Sequence, residues 1–583
     1  MKAFYKRNSM SVNNNVTVFQ KAISETLRAA NEIIVASARN IVLVPVVSLI
    51  GLVVTSEAQL TPEWISRVPV GSALTAGIAG IYVDPNGISY ITGISGPSPN
   101  TDITTASFAA DGSIRWTQTW NSAGNGADQA RGITLASNGV VYVVGNTPGP
   151  DAFSNLLILA YDAATGALLN TIQYRSGPGR SEFGSSIVTD ATSNLYVTGG
   201  TVGDGPDVMT LKFNSSGVVQ WRRTWDGAAF APFSNDSPVK ALLDPSGNVL
   251  VAITGYAGNN HADYVVIKYT PSDGTTLWEK SWGMGGDDFP ADMEIDAAGD
   301  VYVTGTGLDF INKYSTIKLR GSDGQLLWQF YDALGLDHSA HGLFLDGIGG
   351  VFITGTSDPD GDHSNFNDDF FTVKRDATTG AQLWTHAYGD ICVGCFDTPS
   401  DVRVDPDGHV FVAGRTSSPP FVNDVILFVL DTASGIETNR GLVFNVGAEV
   451  PSTGALRFDG AFNLYDGGQI YNANTGAVDM SVTKWTSLVA GGGGIPCEDL
   501  VSFQVRCKPT GGGGHKLQAR LTLTDTSHSG EQVTITIDDG DPIAVTINGN
   551  RAQLQVNNPA PGEHTVVLTD PAGCFPPAVP SCD

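Results

Sequence analysis

Asp296-Ala-Ala-Gly-Asp-Val-Tyr-Val-Thr-Gly305 is the stretch whose reading decides the fold. Asp-Ala-Ala-Gly-Asp has turn composition, and Val-Tyr-Val-Thr is a short β-branched and aromatic strand that stops at a glycine. The strand recurs along the chain. Its copies end at Gly93 (YITG), Gly145 (YVVG), Gly199 (YVTG), Gly255 (AITG), Gly305, Gly355 (FITG), Gly414 (FVAG) and Gly468 (YDGG), spaced 50 to 59 residues apart. Eight units at that period are the mark of a repeat built from blades.

Each unit reads as four short strands. Around Gly305 they are expected at 292–296, 301–306, 315–319 and 325–331, with turns at Ala298-Gly-Asp300 and Ser322-Asp-Gly324. One such unit cannot bury both of its faces, so the units must stack and the stack must close. The expectation is an all-β chain dominated by an eight-bladed β-propeller over residues 59–489. The eighth unit enters the glycine run 491–494 after Trp485 without a fourth strand. Trp64 lies 20 residues before Asp84, as Trp116 lies 20 before Ala136, so an N-terminal strand is predicted to close the ring.

Fourth strands carry Trp116/Trp120, Trp221/Trp225, Trp278/Trp282, Trp328/Tyr331 and Trp384/Tyr388, with Asn170 and Asn439 where two units lack the first Trp. Residues four apart on a strand share a face, so these rings read as packing between blades. With Trp64 and Trp485, all ten tryptophans take framework positions.

Residues 1–58 differ in kind. Lys2, Lys6, Arg7, Lys21, Arg28 and Arg39 precede an apolar run from Ile41 to Val54, followed by Ser56-Glu-Ala58. That order is a secretory signal with a long basic leader, cleaved after Ala58. A retained anchor is the other reading, although the apolar run is shorter than the roughly 20 residues a span needs. The whole chain has a formal charge of −27, and removing this leader makes it more acidic. Such a surface repels phosphate backbones, which argues against nucleic acid and anionic membranes as partners.

The unit Asp288 to Asp296, with Tyr302 to Gly305, Trp278, and Asp263 and Lys268 in the preceding third strand, resembles the bacterial β-propeller repeat family called SBBP. The resemblance covers about residues 60–488 and implies a secreted or surface propeller; it brings no shared catalytic motif. Asp376-Ala-Thr-Thr-Gly380-Ala-Gln-Leu-Trp384 and Asp162-Ala-Ala-Thr-Gly166 are similar to the repeats of quinoprotein-type propellers.

After a glycine linker at 490–494, residues 495–583 alternate in polarity over runs such as Leu517 to Thr524 and Gln532 to Ile537, with a hairpin signal at Asn548-Gly549. A separate β-sandwich of six or seven strands is expected. Cys392, Cys395, Cys497, Cys507, Cys574 and Cys582 make an even set in an exported chain, so disulfides are the default and their connectivity stays open.

An acid recurs eight residues before the first-strand landmark: Asp128, Glu182, Asp236, Asp288 and Asp397, with Asp337-His338 in the sixth unit. These loops are expected to rim the channel. The acids then form a ligand-binding ring or cap turn N–H groups and tie blades together, the second being favoured because a site is usually asymmetric. Asymmetric features are His338 and His341, followed by Cys392-Val-Gly-Cys395, which together offer transition-metal ligands. Cys-x-x-Cys is more simply a small disulfide loop. Asp358, Asp360, Asp362 and Asp369, with Asp368, partly match a calcium loop, but His363 stands where glycine is wanted; calcium or a solvated acidic turn both fit.

No Gly-x-Ser-x-Gly, His-Glu-x-x-His or Gly-Lys phosphate loop is present. The sequence therefore points to a secreted or cell-surface binding module for protein or carbohydrate, without a redox cofactor. A quinone- or metal-dependent dehydrogenase or hydrolase at the channel face is the alternative. The leader is tested by intact mass: the exported protein should begin at Gln59, and a mature chain that keeps Ile41 to Val54 would be membrane-anchored.

Overall fold

The computed structural model describes residue 60 and residues 62–570, apart from 70–76, 203–205, 228–235, 258–260, 333–337, 359–368, 390–396, 419–421, 444–452, 473–476, 486–499, 510–514, 524–531, 538–542, 558–563 and positions 98, 150, 152, 310 and 565. The expected leader lies outside the described residues. So do Asp337, Asp360, Asp362, Asp368 and every cysteine except Cys507.

Every regular element among the described residues is a strand. Eight four-stranded antiparallel sheets follow one another, and the architecture is that of a β-propeller. The first sheet runs Gly77–Val83, Ser89–Ser95, Asp102–Phe108 and Ile114–Trp120. The fifth runs Phe289–Ile295, Val301–Asp309, Ile311–Leu319 and Leu326–Asp332. Its middle strands pass the expected ends at 306 and 315, because the backbone ladder continues to an Asp309–Ile311 pair beyond the last core residue. The eighth sheet is assembled from both ends of the repeat region: Pro62–Val68 pairs with Ala477–Trp485, setting Trp64 against Lys484 and Val68 against Met480.

Burial explains why the sheets cannot stand alone. In the fourth sheet every residue of Val249–Gly255 and Asp263–Tyr269 is buried. Successive side chains point to opposite faces. Val249, Val251, Val265 and Ile267 accordingly pack on Tyr196, Val208 and Trp221 of the third sheet. Leu250, Ala252, Tyr264 and Val266 pack on Met293, Val301 and Val303 of the fifth. Val68, Tyr465, Met480 and Val482 of the eighth sheet share a core with Ile81, Ile91, Ala106 and Phe108 of the first.

In six of the eight sheets one turn joins these layers. The indole N–H groups of Trp64, Trp116, Trp221, Trp278, Trp328 and Trp384 donate to the carbonyls of Ala110, Ala163, Pro271, Gly321, Ala377 and Thr432, each in the third-to-fourth turn of the following sheet, at 2.9–3.2 Å. Four of those carbonyls also receive a lysine from the third strand: Lys212 to Pro271, Lys268 to Gly321, Lys318 to Ala377 and Lys374 to Thr432. The glycine ending the same turn lies under the indole. Gly324 has φ +69°, and a Cβ there would come within 2.7 Å of Trp278 Cε3. In Asp376-Ala-Thr-Thr-Gly380, Asp376 Oδ1 accepts the Thr379 N–H and hydroxyl and shapes the turn.

Residues beyond the propeller form two three-stranded sheets. One orders Leu500–Pro509, His515–Leu523 and Arg551–Asn557; the other orders Ile543–Thr546, Gln532–Ile537 and Val566–Asp570. They share one core around Leu517, Leu521, Ile535, Ile547 and Val566. Cys507 is disulfide-bonded.

The docking turn makes a graded prediction. Gly247 has φ +80° with nothing within 4 Å of the place a methyl group would take, so Gly247→Ala should cost only the left-handed strain, about 1 kcal/mol. Gly324→Ala adds overlap with Trp278 and should cost a further ~1–3 kcal/mol. Urea midpoints at constant m decide; equal losses at both sites would mean that the indole is not held against the turn.

Candidate functional site

In a propeller the first strand of each sheet lines the central channel. Each of these strands carries a β-bulge at the same place, as at Ile78/Gly80, Pro238/Lys240, Pro290/Asp292 and Pro399/Asp401. The bulge sets which two side chains after it face the channel. On the first three sheets the corresponding positions are uncharged: Gly80 and Tyr82, Gly132 and Thr134, Ser186 and Val188, with Tyr82 and Val188 packed against the cores between sheets. Elsewhere the wall becomes charged, with Lys240 on the fourth sheet, Asp292 and Glu294 on the fifth, Asp401 and Arg403 on the seventh, and Arg457 on the eighth.

These six groups form two ion-pair clusters, which act on each other through their fields. Lys240 Nζ lies 2.8 Å from Asp292 Oδ1 and 3.0 Å from Glu294 Oε1. Arg403 and Arg457 both reach Asp401, at 2.7 and 3.4 Å, and Arg403 covers the Phe344 ring at 5.3 Å. Burial disfavours the Lys240 charge, but Asp292 and Glu294 more than offset it and raise its pKa. Burial, then the neighbouring Arg403, lower that of Arg457, with Asp401, Glu294 and Asp292 opposing.

The two aspartates also stitch adjacent sheets. Asp292 Oδ2 accepts Leu343 N–H at 3.0 Å, and Asp401 Oδ2 accepts Leu456 N–H at 2.9 Å. Ser186 does the same for Ala241. Beside Asp401 sits Asp466, which occupies the core position held by Val303 in the fifth sheet. It is 3 % exposed, and its Oδ1 has no hydrogen-bond partner among the described residues. Burial, then Asp401, push its carboxyl well above the usual range.

The recurrent acids sit elsewhere, where one sheet hands over to the next. Asp128, Glu182, Asp236, Asp288 and Asp397 are all buried, in place of the open rim that the sequence predicts for them. Asp128 accepts Ser122 N–H at 2.7 Å and the Thr147 hydroxyl at 2.7 Å. Asp236 accepts Gly227 and Tyr256 N–H; Asp288 accepts Met284 N–H at 2.6 Å and Leu308 N–H at 3.1 Å. Glu182 lies inside Ser181–Thr189 and accepts Ser176 N–H at 3.0 Å. These four acids thus bind the segment leaving the preceding sheet, and most also bind the end of their own second strand.

The two histidines diverge. Both lie within the strand His338–Leu345 and not in a loop. His338 is buried edge-on to Tyr314 of the fifth sheet at 6.2 Å. His341 is the bulged residue and bonds the Pro399 carbonyl of the seventh; burial, then Arg415, lower its pKa. Of the acids expected to hold calcium, Asp358 is buried at the end of a strand and Asp369 begins the next, paired with Ser357. Cys392 and Cys395 lie outside the described residues.

One acidic group escaped the sequence reading. Asp207, Asp226 and Asp236 bring carboxylate oxygens within 4.8 Å of one another. Burial, then backbone bonds and Asp226, leave Asp236 raised from the ordinary carboxylate value. The legible signal is the acid at the start of third strands, at Asp102, Asp207 and Asp263, each acting on the recurrent acid of the next unit.

Residues 154–331 match the family model described as outer membrane protein assembly factor BamB. That match starts in the third strand of the second sheet and ends in the fourth strand of the fifth, and marks a quinoprotein-like propeller repeat. Among curated proteins none matches this chain. Similar solved structures include BamB from Moraxella catarrhalis, with 13% identity over 73% of this chain and 100% of that one and a TM-score of 0.41. Quinohemoprotein alcohol dehydrogenase from Comamonas testosteroni has 13% identity over 73% and 76%, TM-score 0.45. The WD40 domain of SCAP from fission yeast has 10% identity over 73% and 98%, TM-score 0.42. Among the described residues no helix is long and apolar enough to cross a membrane.

Asp288 supplies a pH test. Burial raises its carboxyl to about 6, the Met284 and Leu308 N–H groups opposing and Asp263 and Asp287 adding to the rise. An unfolded aspartate titrates near 3.9. Between those values the native state holds more protons, so stability present below about pH 4 declines as pH rises to about 6, by up to about 3 kcal/mol. Asp288→Asn should flatten that part of the profile. Urea midpoints at pH 4.5 and 7 measure it; an unchanged slope in the variant would mean that Asp288 titrates normally.

Proposed function

We propose that the chain is an exported, eight-bladed propeller closed by its N-terminal strand and followed by a small β-sandwich, and that it binds protein partners along its outer strands without catalysing a reaction. The observation that carries this reading is a belt of exposed aliphatic side chains. Ile114, Leu169, Val219, Leu277, Leu327 and Leu383 stand exposed on the outer strands of six consecutive sheets. Each outer strand ends its sheet, so it offers an edge to which an extended segment can add with backbone bonds and apolar contacts. The match of residues 154–331 to an assembly factor accords with partner binding. Export rests on the basic, apolar and small-residue order of residues 1–58, and fits the secreted character implied by the SBBP resemblance.

The recurrent acids serve as framework in this reading, since their oxygens are taken by N–H groups at the handovers between sheets. A quinone needs a flat aromatic floor and groups that polarise its carbonyls. The ten indoles do not fit that need. Six dock on turns, Trp225 and Trp282 donate to Glu279 and Gln329, and Trp120 and Trp485 pack in cores between sheets. A dehydrogenase or hydrolase at the channel face is the second reading, favoured by buried Asp466, whose carboxyl is pushed up by burial and Asp401, near Arg403 and Arg457.

Site-specific photocrosslinking in the producing cell tests the proposal. A crosslinker at Leu277 or Leu383 should give a discrete protein adduct, whereas one at Gly139, in an exposed turn away from the belt, should not. Leu277→Lys should reduce the Leu383 adduct at least fivefold. Dye-linked alcohol or sugar oxidation that requires added quinone and is lost on Asp401→Asn would establish the second reading instead.

A further inference from the structure

The chain is strongly acidic, yet one surface has the opposite charge. In the sheet of Leu500–Pro509, His515–Leu523 and Arg551–Asn557, alternate residues face the shared core: Leu517, Ala519, Leu521 and Leu523 on the middle strand, with Phe503, Val505 and Cys507 beside them. The other face carries Gln504, Arg506 and Lys508, then Lys516, Gln518 and Arg520, then Arg551, Gln553 and Gln555. Register sets Gln504 opposite Arg520 opposite Gln553, and Arg506 opposite Gln518 opposite Gln555. Five cations and four amides thus share one face, and these three strands contain no Asp or Glu.

None of Arg506, Lys508, Lys516, Arg520 and Arg551 is ion-paired among the described residues. Arg506, Lys508, Arg520 and Arg551 are exposed. Gln504, Arg506, Lys508, Gln518 and Arg520 line a shallow depression of about 180 Å³. Five cations held together without an ion-pair partner among the described residues, in a chain of charge −27, make a local field that attracts anions.

We propose that this face docks an anionic polysaccharide bearing carboxylates. The chemistry of the face selects that occupant. Arginine forks bind carboxylates in two-point fashion, and the interleaved amides of Gln504, Gln518, Gln553 and Gln555 donate to and accept from hydroxyls. Arg506 and Lys508 stand about 7 Å apart along one strand, and Lys508 faces Lys516 across a strand gap of about 4.8 Å, so cations and amides alternate over a patch several sugar residues could span. No aromatic residue stands on the face to stack bases, which disfavours single-stranded nucleic acid. No apolar residue stands there to enter a lipid interface. The surface is separate from the outer-strand belt of the propeller and does not depend on what that belt binds.

The test uses the full exported protein with polygalacturonate as probe, and dextran, single-stranded DNA and phosphatidylglycerol vesicles beside it. Wild type should bind polygalacturonate in low salt, release it at about 0.5 M NaCl, where screening is nearly complete, and ignore dextran. Arg506→Ser/Arg520→Ser should weaken binding at least tenfold at an unchanged melting temperature. Arg506→Lys/Arg520→Lys, which keeps the charge and loses the fork, should fall between. Leu277→Lys should leave binding unaltered, separating this site from the propeller's. The proposal is overturned by absent polygalacturonate binding, by equal binding to dextran, by tighter binding to DNA or vesicles, or by undiminished binding of the serine variant. A dimer by light scattering that the serine variant dissolves, without glycan binding, would overturn it too and assign the face to a second copy.

Discussion

In six of the eight repeats, one peptide carbonyl ties a sheet to the indole of the sheet before it. At Pro271, Gly321, Ala377 and Thr432 that oxygen accepts both an indole N–H and a lysine ammonium from the sheet before it. A carbonyl has two lone pairs, and here both are filled by the neighbour. The arrangement constrains sequence at four places together: an acid shapes the turn, a glycine makes room for the ring, a tryptophan enters, and a lysine follows from the third strand. Substituting the glycine disturbs two sheets, because the turn belongs to one and the ring to the next. Where the indole is missing, at Asn170, the glycine of the following turn meets Asn170 Nδ2 and Ile172 instead.

This coupling is why the architecture was legible from residues alone. Repetition of Tyr-Val-Thr-Gly, of Asp-x-x-Thr-Gly and of tryptophan records contacts that every sheet makes, so each copy reinforces the reading of the others. The pairing of Pro62–Val68 with Ala477–Trp485 was legible for the same reason, since Trp64 stands in the spacing of a fourth strand. The bulge on each first strand was not legible. It arises from backbone register and leaves no residue type common to Ala79, Arg131, Val239 and His341.

The candidate site behaved differently. His338 and His341 are close in sequence, and the bulge turns them toward different neighbouring sheets. The channel clusters draw Lys240, Asp292 and Asp401 from a position where other repeats carry glycine, serine or alanine, and Arg457 from one where others carry Tyr82, Thr134, Val188, Leu242 or Phe344. Nothing in a single repeat marks them; only a column-by-column comparison of the eight units does. Asp466 was visible in that way, as the Asp of Tyr-Asp-Gly-Gly where others have a valine or isoleucine. It reads as decay of the motif until its burial beside Asp401 is known.

The indole-on-turn contact is also polar in the directional sense, since a sheet that makes it offers the ring on one side while the receiving turn lies on the other. Contacts of that kind are head-to-tail, and they generate either a closed ring or an endless helical stack. Units joined this way can be gained or lost singly during evolution, because the six indole junctions are alike. What limits the number is the angle between neighbours and the requirement that the final ring find the first turn, a role that here falls to Trp64 on Ala110 and Gly112.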